Sequence, residues 1–266
     1  MEIIVCIKQV PGTTTVDIDE KTGVLLRGGA SVKVNPYDLY AIEVALRLKE
    51  AHGGTVRVLT MGPARAEEVL REAYMMGADE CVLLTDRAFA GADVLATSYA
   101  LSEAIKRMGA FDLIVCGKQT TDGDTAQVGA ELAEFLDLPH AANVTNITHV
   151  GSSFLRVGID MADYVQVQDI PFPCLITVEK DIFIPRLPSY KRKLETADKE
   201  IRVLTLDELE DSDPLHYGLN GSPTHVERVF PPLSATEKII LDGADDKNAE
   251  FLYRKLKELK FLKGRK

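Results

Sequence analysis

The residues best placed to do chemistry lie in LIVCGKQTTDGDTAQVGAELAEFL, 113–136, where a strand-like apolar run enters a loop rich in glycine and hydroxyls and then a helix. In an open α/β sheet such loops stand at the carboxyl ends of the strands, where ligands bind. A helix start offers unpaired N–H groups and the positive end of the dipole, and Gly123 lets an anion come close to the backbone. Thr120, Thr121, Thr125 and Gln127 add neutral donors for phosphate oxygens. Asp122 and Asp124 would repel a pyrophosphate, so they are expected to cap the helix or bond loop amides. The stretch is neither GxGxxG nor a P-loop, and a plain helix-capping turn explains the same residues.

Two further loops point the same way. VNPYDLYAIEVALRLKE, 34–50, joins an Asn-Pro start to Asp38 near a helix N-terminus, although Pro36 at a first turn is expected on helical grounds alone. LTMGPARAEEVL, 59–70, ends a strand in Met-Gly-Pro, and Gly62 permits close approach by a ring. Three such loops at one end of a sheet suggest a nucleotide cleft. There is no Ser/His/Asp or Cys/His arrangement and no carboxylate pair placed for acid–base work, so an organic cofactor would have to supply the reactivity.

The elements that must position these loops alternate through residue 136. Strands are expected at 3–8, 55–60, 81–84 and 113–116, with helices at 36–52, 64–75, 92–108 and 125–136 and a small hairpin at 16–27. That alternation predicts an α/β fold, a mostly parallel sheet with helices on both faces. After Pro139, short strands at 142–148, 154–159, 164–168 and 174–178 add an antiparallel region to the same core. From 183 the chain reads as a Pro-punctuated loop, IPRLPSYKRK, then an irregular acidic stretch at 206–213, an extended arm at 217–232 and a helix at 248–262. The expected division is a nucleotide-binding core, 1–182, and a partner-docking loop, arm and C-terminal helix, 183–266.

Composition excludes several classes. A formal net charge of -10 over 266 residues argues against nucleic acid, whose nonspecific affinity comes from Lys and Arg that release counterions. No apolar run reaches the roughly 18 to 20 residues that cross a bilayer, and the opening MEIIVCIKQV has no signal-peptide pattern, so a cytoplasmic protein is expected. Cys6, Cys81, Cys116 and Cys174 form no CxxC pair and sit in apolar runs as buried reduced thiols do; the histidines lack HxxxH or HExxH spacing, so no metal site is expected.

Taken together and in order, VCIKQVPGTTTVDID, VNPYDLYAIEVALRLKE, MGADE, CGKQTTDGDTAQVG and PCLITVEKDIFIPRLPSYKRK resemble the small, or beta, subunit of electron-transferring flavoproteins over nearly the whole chain. The resemblance implies a doubly wound, Rossmann-like adenine-nucleotide-binding domain that works as a heterodimer with an alpha subunit carrying its own FAD. It implies nucleotide contacts from Cys6, from Asn35, Pro36, Tyr37 and Asp38, and from Met61. It adds Lys118, Gln119, Thr120, Thr121, Asp122, Gly123, Asp124, Thr125, Ala126, Gln127, Val128 and Gly129.

Simple members of that family hold a structural AMP, whereas electron-bifurcating members hold a second FAD that takes a hydride from NADH. TDRAFAGADVLATS, 85–98, looks like the bifurcating group. There Arg87 would neutralise a flavin or nicotinamide phosphate, Phe89 would pack beside a ring, and Thr97 or Ser98 would donate to the isoalloxazine edge; a loop, a helix cap and a core Phe account for the same residues. VGIDMADYVQVQDIPFPCLIT departs from the basic-acidic and glycine run of many members, and IPRLPSYKRK and YGLNGSPTHVERVFPP look most like beta subunits of caffeoyl-CoA reductase and related acyl-CoA dehydrogenase complexes. The implied function is an FAD subunit that accepts a hydride from NADH and divides electrons. One path leads to ferredoxin or flavodoxin, and the other runs through the alpha-subunit FAD to an acyl-CoA dehydrogenase or enoyl-CoA reductase docked on 183–193. The alternatives are a structural AMP-holding subunit and a nucleotide-sensing module.

Overall fold

The structure is a computed structural model that describes residues 1–12, 32–161, 163–227 and 239–262. Two compact units divide the chain, Met1–Glu227 and Arg228–Lys266. Residues 183–227, expected to group with the C-terminal helix, thus lie in the first unit. The hairpin expected at 16–27 lies outside the described residues.

The first unit is built on β1 (Glu2–Ile7), β4 (Thr55–Met61), β5 (Glu80–Leu84), β6 (Leu113–Gly117) and β10 (Cys174–Val178). Their near-continuous apolar runs are those of parallel strands covered on both faces. β7 (His140–Val150), β8 (Phe154–Asp160), β9 (Val165–Pro171) and β11 (Arg202–Leu204) complete a nine-stranded sheet in the order β11-β5-β4-β1-β6-β10-β7-β8-β9. Pairing is parallel from β11 through β7 and antiparallel across β7, β8 and β9. The expected α/β class and the added antiparallel region are both present. A separate two-stranded ladder joins β2 (Gln9–Pro11) to β3 (Val32–Val34).

Side chains alternate along β1 between two cores. Ile3, Val5 and Ile7 face the layer formed by α1 (Pro36–His52) and α2 (Glu67–Met76), while Ile4 and Cys6 face that of α3 (Val94–Met108) and α4 (Val128–Phe135). α1 has the bounds expected, with Pro36 in its first turn and Gly53 taking φ 72° at its end. α4 starts at Val128 rather than 125, because Asp124 and Ala126 adopt left-handed φ values of 56° that no α-helix accommodates.

The β2–β3 ladder was not expected, nor were α5 (Tyr190–Glu195) and β11. α5 interrupts the Pro-punctuated loop and is capped by Ser189, whose hydroxyl accepts from the Arg192 N–H at 3.4 Å. β11 extends the sheet on β5. In the second unit, α6 (Asp246–Glu258) starts two residues before the expected position and is capped by Asp245, which accepts from the Asn248 N–H at 2.8 Å. Among the described residues no helix is long and apolar enough to cross a membrane, and no His/Cys/Asp/Glu cluster could hold a metal ion.

Candidate nucleotide site at the switch point

Strand order reverses between β1 and β6: the chain proceeds from β1 to β4 and β5 on one side, then returns to place β6 on the other. The crevice outside the carboxyl ends of these strands is where an open α/β sheet takes its ligand. Lys8 follows β1 there, Met61 ends β4, the turn carrying Arg87 follows β5, and Lys118 to Gln127 follow β6.

The β6 strand and α1 meet closely. A Cβ on Gly117 would stand 2.8 Å from the Tyr37 carbonyl carbon and 2.9 Å from the Asp38 nitrogen. That contact brings Asn35 to the loop after β6. Asn35 is fully buried; its amide donates to the Gln119 carbonyl at 2.8 Å and its oxygen accepts from the Thr121 N–H at 3.2 Å. Asp38, also buried, accepts from the Lys8 N–H at 2.7 Å and ties α1 to the end of β1. Asn35 and Asp38 therefore hold loops, while Pro36 and Tyr37 form the turn between them.

Burial raises the Asp38 carboxyl to about 7, outweighing the bonds it accepts from Asn35, Lys8 and Gly117 and the Lys8 charge. A carboxyl raised on folding contributes stability that is complete below its unfolded value near 4 and lost as pH rises through about 7. Asp38→Asn is expected to flatten that part of the profile. In urea titrations from pH 4 to 8, the stability difference between variant and wild type should change by a few kcal/mol across this window. A pH-independent difference would contradict the assignment.

The loop after β6 presents backbone donors outward. The N–H groups of Thr125, Ala126, Gln127 and Val128 have no hydrogen-bond partner among the described residues, and α4 has no side-chain cap. Left-handed Asp124 and Ala126, each followed by a residue without positive φ, give the alternating backbone pattern from which anion-binding nests are built. Gly129 is required at the helix start, since a Cβ there would overlap the Thr177 methyl. A Cβ on Gly123 would meet only Thr120 Oγ1 at 3.4 Å, an ordinary contact.

Neither loop aspartate caps α4, but Asp124 bonds a loop amide, the other arrangement expected. Asp122 pairs with Lys8 at 2.8 Å, and Asp124 accepts from the Gln119 amide. Burial raises the Asp122 carboxyl, but the Lys8 bond and charge outweigh it and hold the group below its ordinary value. Each carboxylate is thereby turned to a loop partner rather than to the N–H groups of 125–128. Lys118 pairs with Glu179 at 3.0 Å. Lys8, which sequence reasoning passed over as the last residue of the expected strand 3–8, stands just past β1 and is a cation of this edge.

The remaining expected residues divide. Cys6 lies beneath the crevice in register with Cys116, and contact with Cys6 together with burial pushes the Cys116 thiol well up, so that thiol stays protonated. All four cysteines are buried and free. Met61 packs partly buried on the α3/α4 core. Phe89 is buried against Tyr217, with ring centroids 5.4 Å apart. Ser98 donates to the Val94 carbonyl at 2.8 Å and lies within 3.4 Å of the Val128 carbonyl and 3.2 Å of the Glu131 carboxylate, both on α4. Thr97 is half-buried in the first turn of α3. Arg87 is exposed, and its guanidinium has no partner among the described residues.

Residues 22–209 match the family model described as the electron transfer flavoprotein domain. The chain is 40% identical over 262 residues to the electron transfer flavoprotein subunit beta of Clostridium acetobutylicum, covering 98% of this chain and 100% of that protein. It is 42% identical to the caffeyl-CoA reductase-Etf complex subunit CarD of Acetobacterium woodii, with 97% and 98% covered, and 43% identical to Protein FixA of Azorhizobium caulinodans, with 90% and 87% covered. An alternating α/β sheet with its ligand edge at the β1/β6 reversal, matched by that domain over most of its length, identifies the chain as a member of the electron transfer flavoprotein family, on the beta-subunit side.

Proposed function

We propose that this chain is the FAD-holding small subunit of an NADH-dependent, electron-bifurcating flavoprotein. It works with an alpha subunit that carries a second FAD, and it delivers electrons to ferredoxin or flavodoxin and to an acyl-CoA dehydrogenase or enoyl-CoA reductase. The observation that carries the reading is the array of unpartnered N–H groups from Thr125 to Val128 at the switch point, continued along the edge by an unpartnered Arg87. From β6 to β5 the edge crosses three strand spacings, roughly 14 Å. A pyrophosphate on the β6 loop would leave a dinucleotide's far end near the Arg87 turn, whereas AMP on the same loop gives that cation no partner.

FAD bound there supplies acceptance of an electron pair from NADH and release of electrons one at a time. The chain's own residues bind and orient it. N–H groups of 125–128 receive phosphate oxygens, Asn35 holds the loop in the receiving shape, and Lys8 keeps the Asp122 carboxylate paired. Arg87 offers a positive charge to the reacting end. The subunit and complex names of the relatives support a heterodimer and a reductase partner, and the exposed Ile184, Leu187 and Tyr190 of 183–193 form the proposed docking face for that partner.

Arg87→Ala in the coexpressed heterodimer tests the reading. One charge-assisted contact is worth about 1.5 to 3 kcal/mol, so flavin reduction by NADH followed in a stopped-flow mixer should slow by about tenfold to a hundredfold. Assembly and flavin content should be retained. NADH kinetics equal to wild type would remove Arg87 from the site.

A further inference from the structure

The loop that carries Arg87 is held at almost every residue except Arg87, and what holds it comes from a distant stretch of chain, residues 204–224. Thr85 donates its N–H to the Leu204 carbonyl at 2.9 Å, and the Leu206 N–H reaches the Asp86 carboxylate at 3.3 Å. The Leu219 N–H donates to the Ala90 carbonyl at 3.0 Å. Tyr217, fully buried, seats its ring against Phe89. The far end of the loop is clamped twice at Asp93: its N–H donates to Ser222 Oγ at 2.8 Å, and its carboxylate accepts from Thr224 Oγ1 at 2.7 Å and from the Thr224 N–H at 3.0 Å.

The fit depends on Gly218. It takes φ 54°, and a Cβ there would overlap the Ala88 carbonyl oxygen and stand 2.8 Å from that of Ala90. The strap is itself fixed to α3 through Tyr99, whose hydroxyl donates to Asp211 at 2.6 Å. Ordering a loop backbone costs conformational entropy at every residue it fixes. Here that ordering extends over 85–93, yet the cation at its tip has no partner among the described residues. A loop needed only as a connector would not require its tip to be held so closely around a free guanidinium.

We infer that the 204–224 strap is a positioning element for the reaction: Gly218, Ser222 and Thr224 act through the 85–93 backbone to hold the Arg87 guanidinium at the reacting end of the bound cofactor. The inference rests on the function proposed above. The strap residues are positioning residues and touch no reacting atom.

The test uses the coexpressed heterodimer carrying Ser222→Ala with Thr224→Val, which removes both side-chain bonds to Asp93 without adding bulk and leaves the Thr224 N–H bond, and separately Gly218→Ala. Flavin per heterodimer is counted, and NADH-driven flavin reduction is followed at saturating NADH. Each strap variant should keep its flavin and slow reduction at least tenfold. Adding Arg87→Ala to the double variant should slow it little further, because both changes remove the same placed cation. Thr224→Ser, which keeps the hydroxyl, should reduce at the wild-type rate. Undiminished reduction in the strap variants, or a loss that multiplies with that of Arg87→Ala, overturns the inference. If Arg87→Ala slows reduction while the strap variants do not, the inference alone fails. If Arg87→Ala itself has no effect, the functional reading fails and takes the inference with it. Should the double variant fail to assemble, Thr224→Val, at an exposed residue, carries the same comparison.

Discussion

Gly117→Ala is expected to destabilise the first unit by about 3 kcal/mol and to strip the assembled protein of bound nucleotide. The added methyl would lie 2.8 Å from the Tyr37 carbonyl carbon, 2.9 Å from the Asp38 nitrogen, and closer still to the Asp38 carboxylate. Overpacking costs about 1 to 3 kcal/mol, and the upper end applies where the obstacle is backbone that cannot rotate aside. α1 would have to lift from β6, carrying Asn35 away from Gln119 and Thr121 and releasing the loop it braces. Urea unfolding and the nucleotide content after gel filtration read the two effects. Gly123→Ala is the stability control, because its Cβ would meet only Thr120 Oγ1 at 3.4 Å; its unfolding midpoint should stay near wild type. Wild-type stability and nucleotide content in Gly117→Ala would show that the close approach of α1 is not what shapes the loop.

Arg186→Ala is expected to cost about 2 kcal/mol and to weaken docking of the proposed dehydrogenase partner by about tenfold. Glu43 on α1 is buried; burial alone would raise its carboxyl, but hydrogen bonds from Arg186 and Arg47 outweigh this and hold it below its ordinary value. Arg186 reaches Glu43 at 2.8 Å through its side chain and 3.0 Å through its N–H, and Glu50 at 2.5 Å. Removing one partner of a buried pair costs about 3 to 5 kcal/mol; the retained Arg47 and the partial exposure of Arg186 reduce that. Because the Glu43 carboxyl is depressed on folding, this contribution is present above its unfolded value and lost as pH falls through the folded one. The same bonds fix the backbone between Ile184 and Leu187, which project outward with 86% of their surface exposed. Arg186→Lys should recover little, since a single ammonium cannot bridge both carboxylates as the guanidinium fork does. Docking is read by titrating the dehydrogenase into the heterodimer. Unchanged affinity together with lowered stability would separate the clamp from the docking face.

Much of the frame was legible because its signals are local. Pro36 and Gly53 mark the two ends of α1, and the apolar runs of β1, β4, β5 and β6 between turn residues mark a parallel sheet. What escaped depends on contacts between distant residues. β11 is three residues long and is a strand only because β5 offers it an edge. Ala126 announces no left-handed turn, so the true start of α4 was hidden.

The candidate site divides in the same way. The β6 loop could be read as an anion site from its glycines, hydroxyls and helix, but that Asn35 braces it is visible only once α1 lies over Gly117. Phe89 looked available to a cofactor because Tyr217, which covers it, comes from a stretch whose sequence reads as an irregular arm. The strap had no periodicity to betray it, since it holds only one-turn 3-10 helices at Leu206–Glu208 and Pro214–His216 and is tied to 85–93 by single hydrogen bonds.

The most direct test of the central claim is the number and kind of nucleotides per heterodimer when this chain is coexpressed with its alpha subunit, purified gently, and assayed for flavin by absorbance and for AMP by chromatography of the released cofactors. Two flavins and no AMP per heterodimer is the expected result; one flavin with one AMP would contradict it.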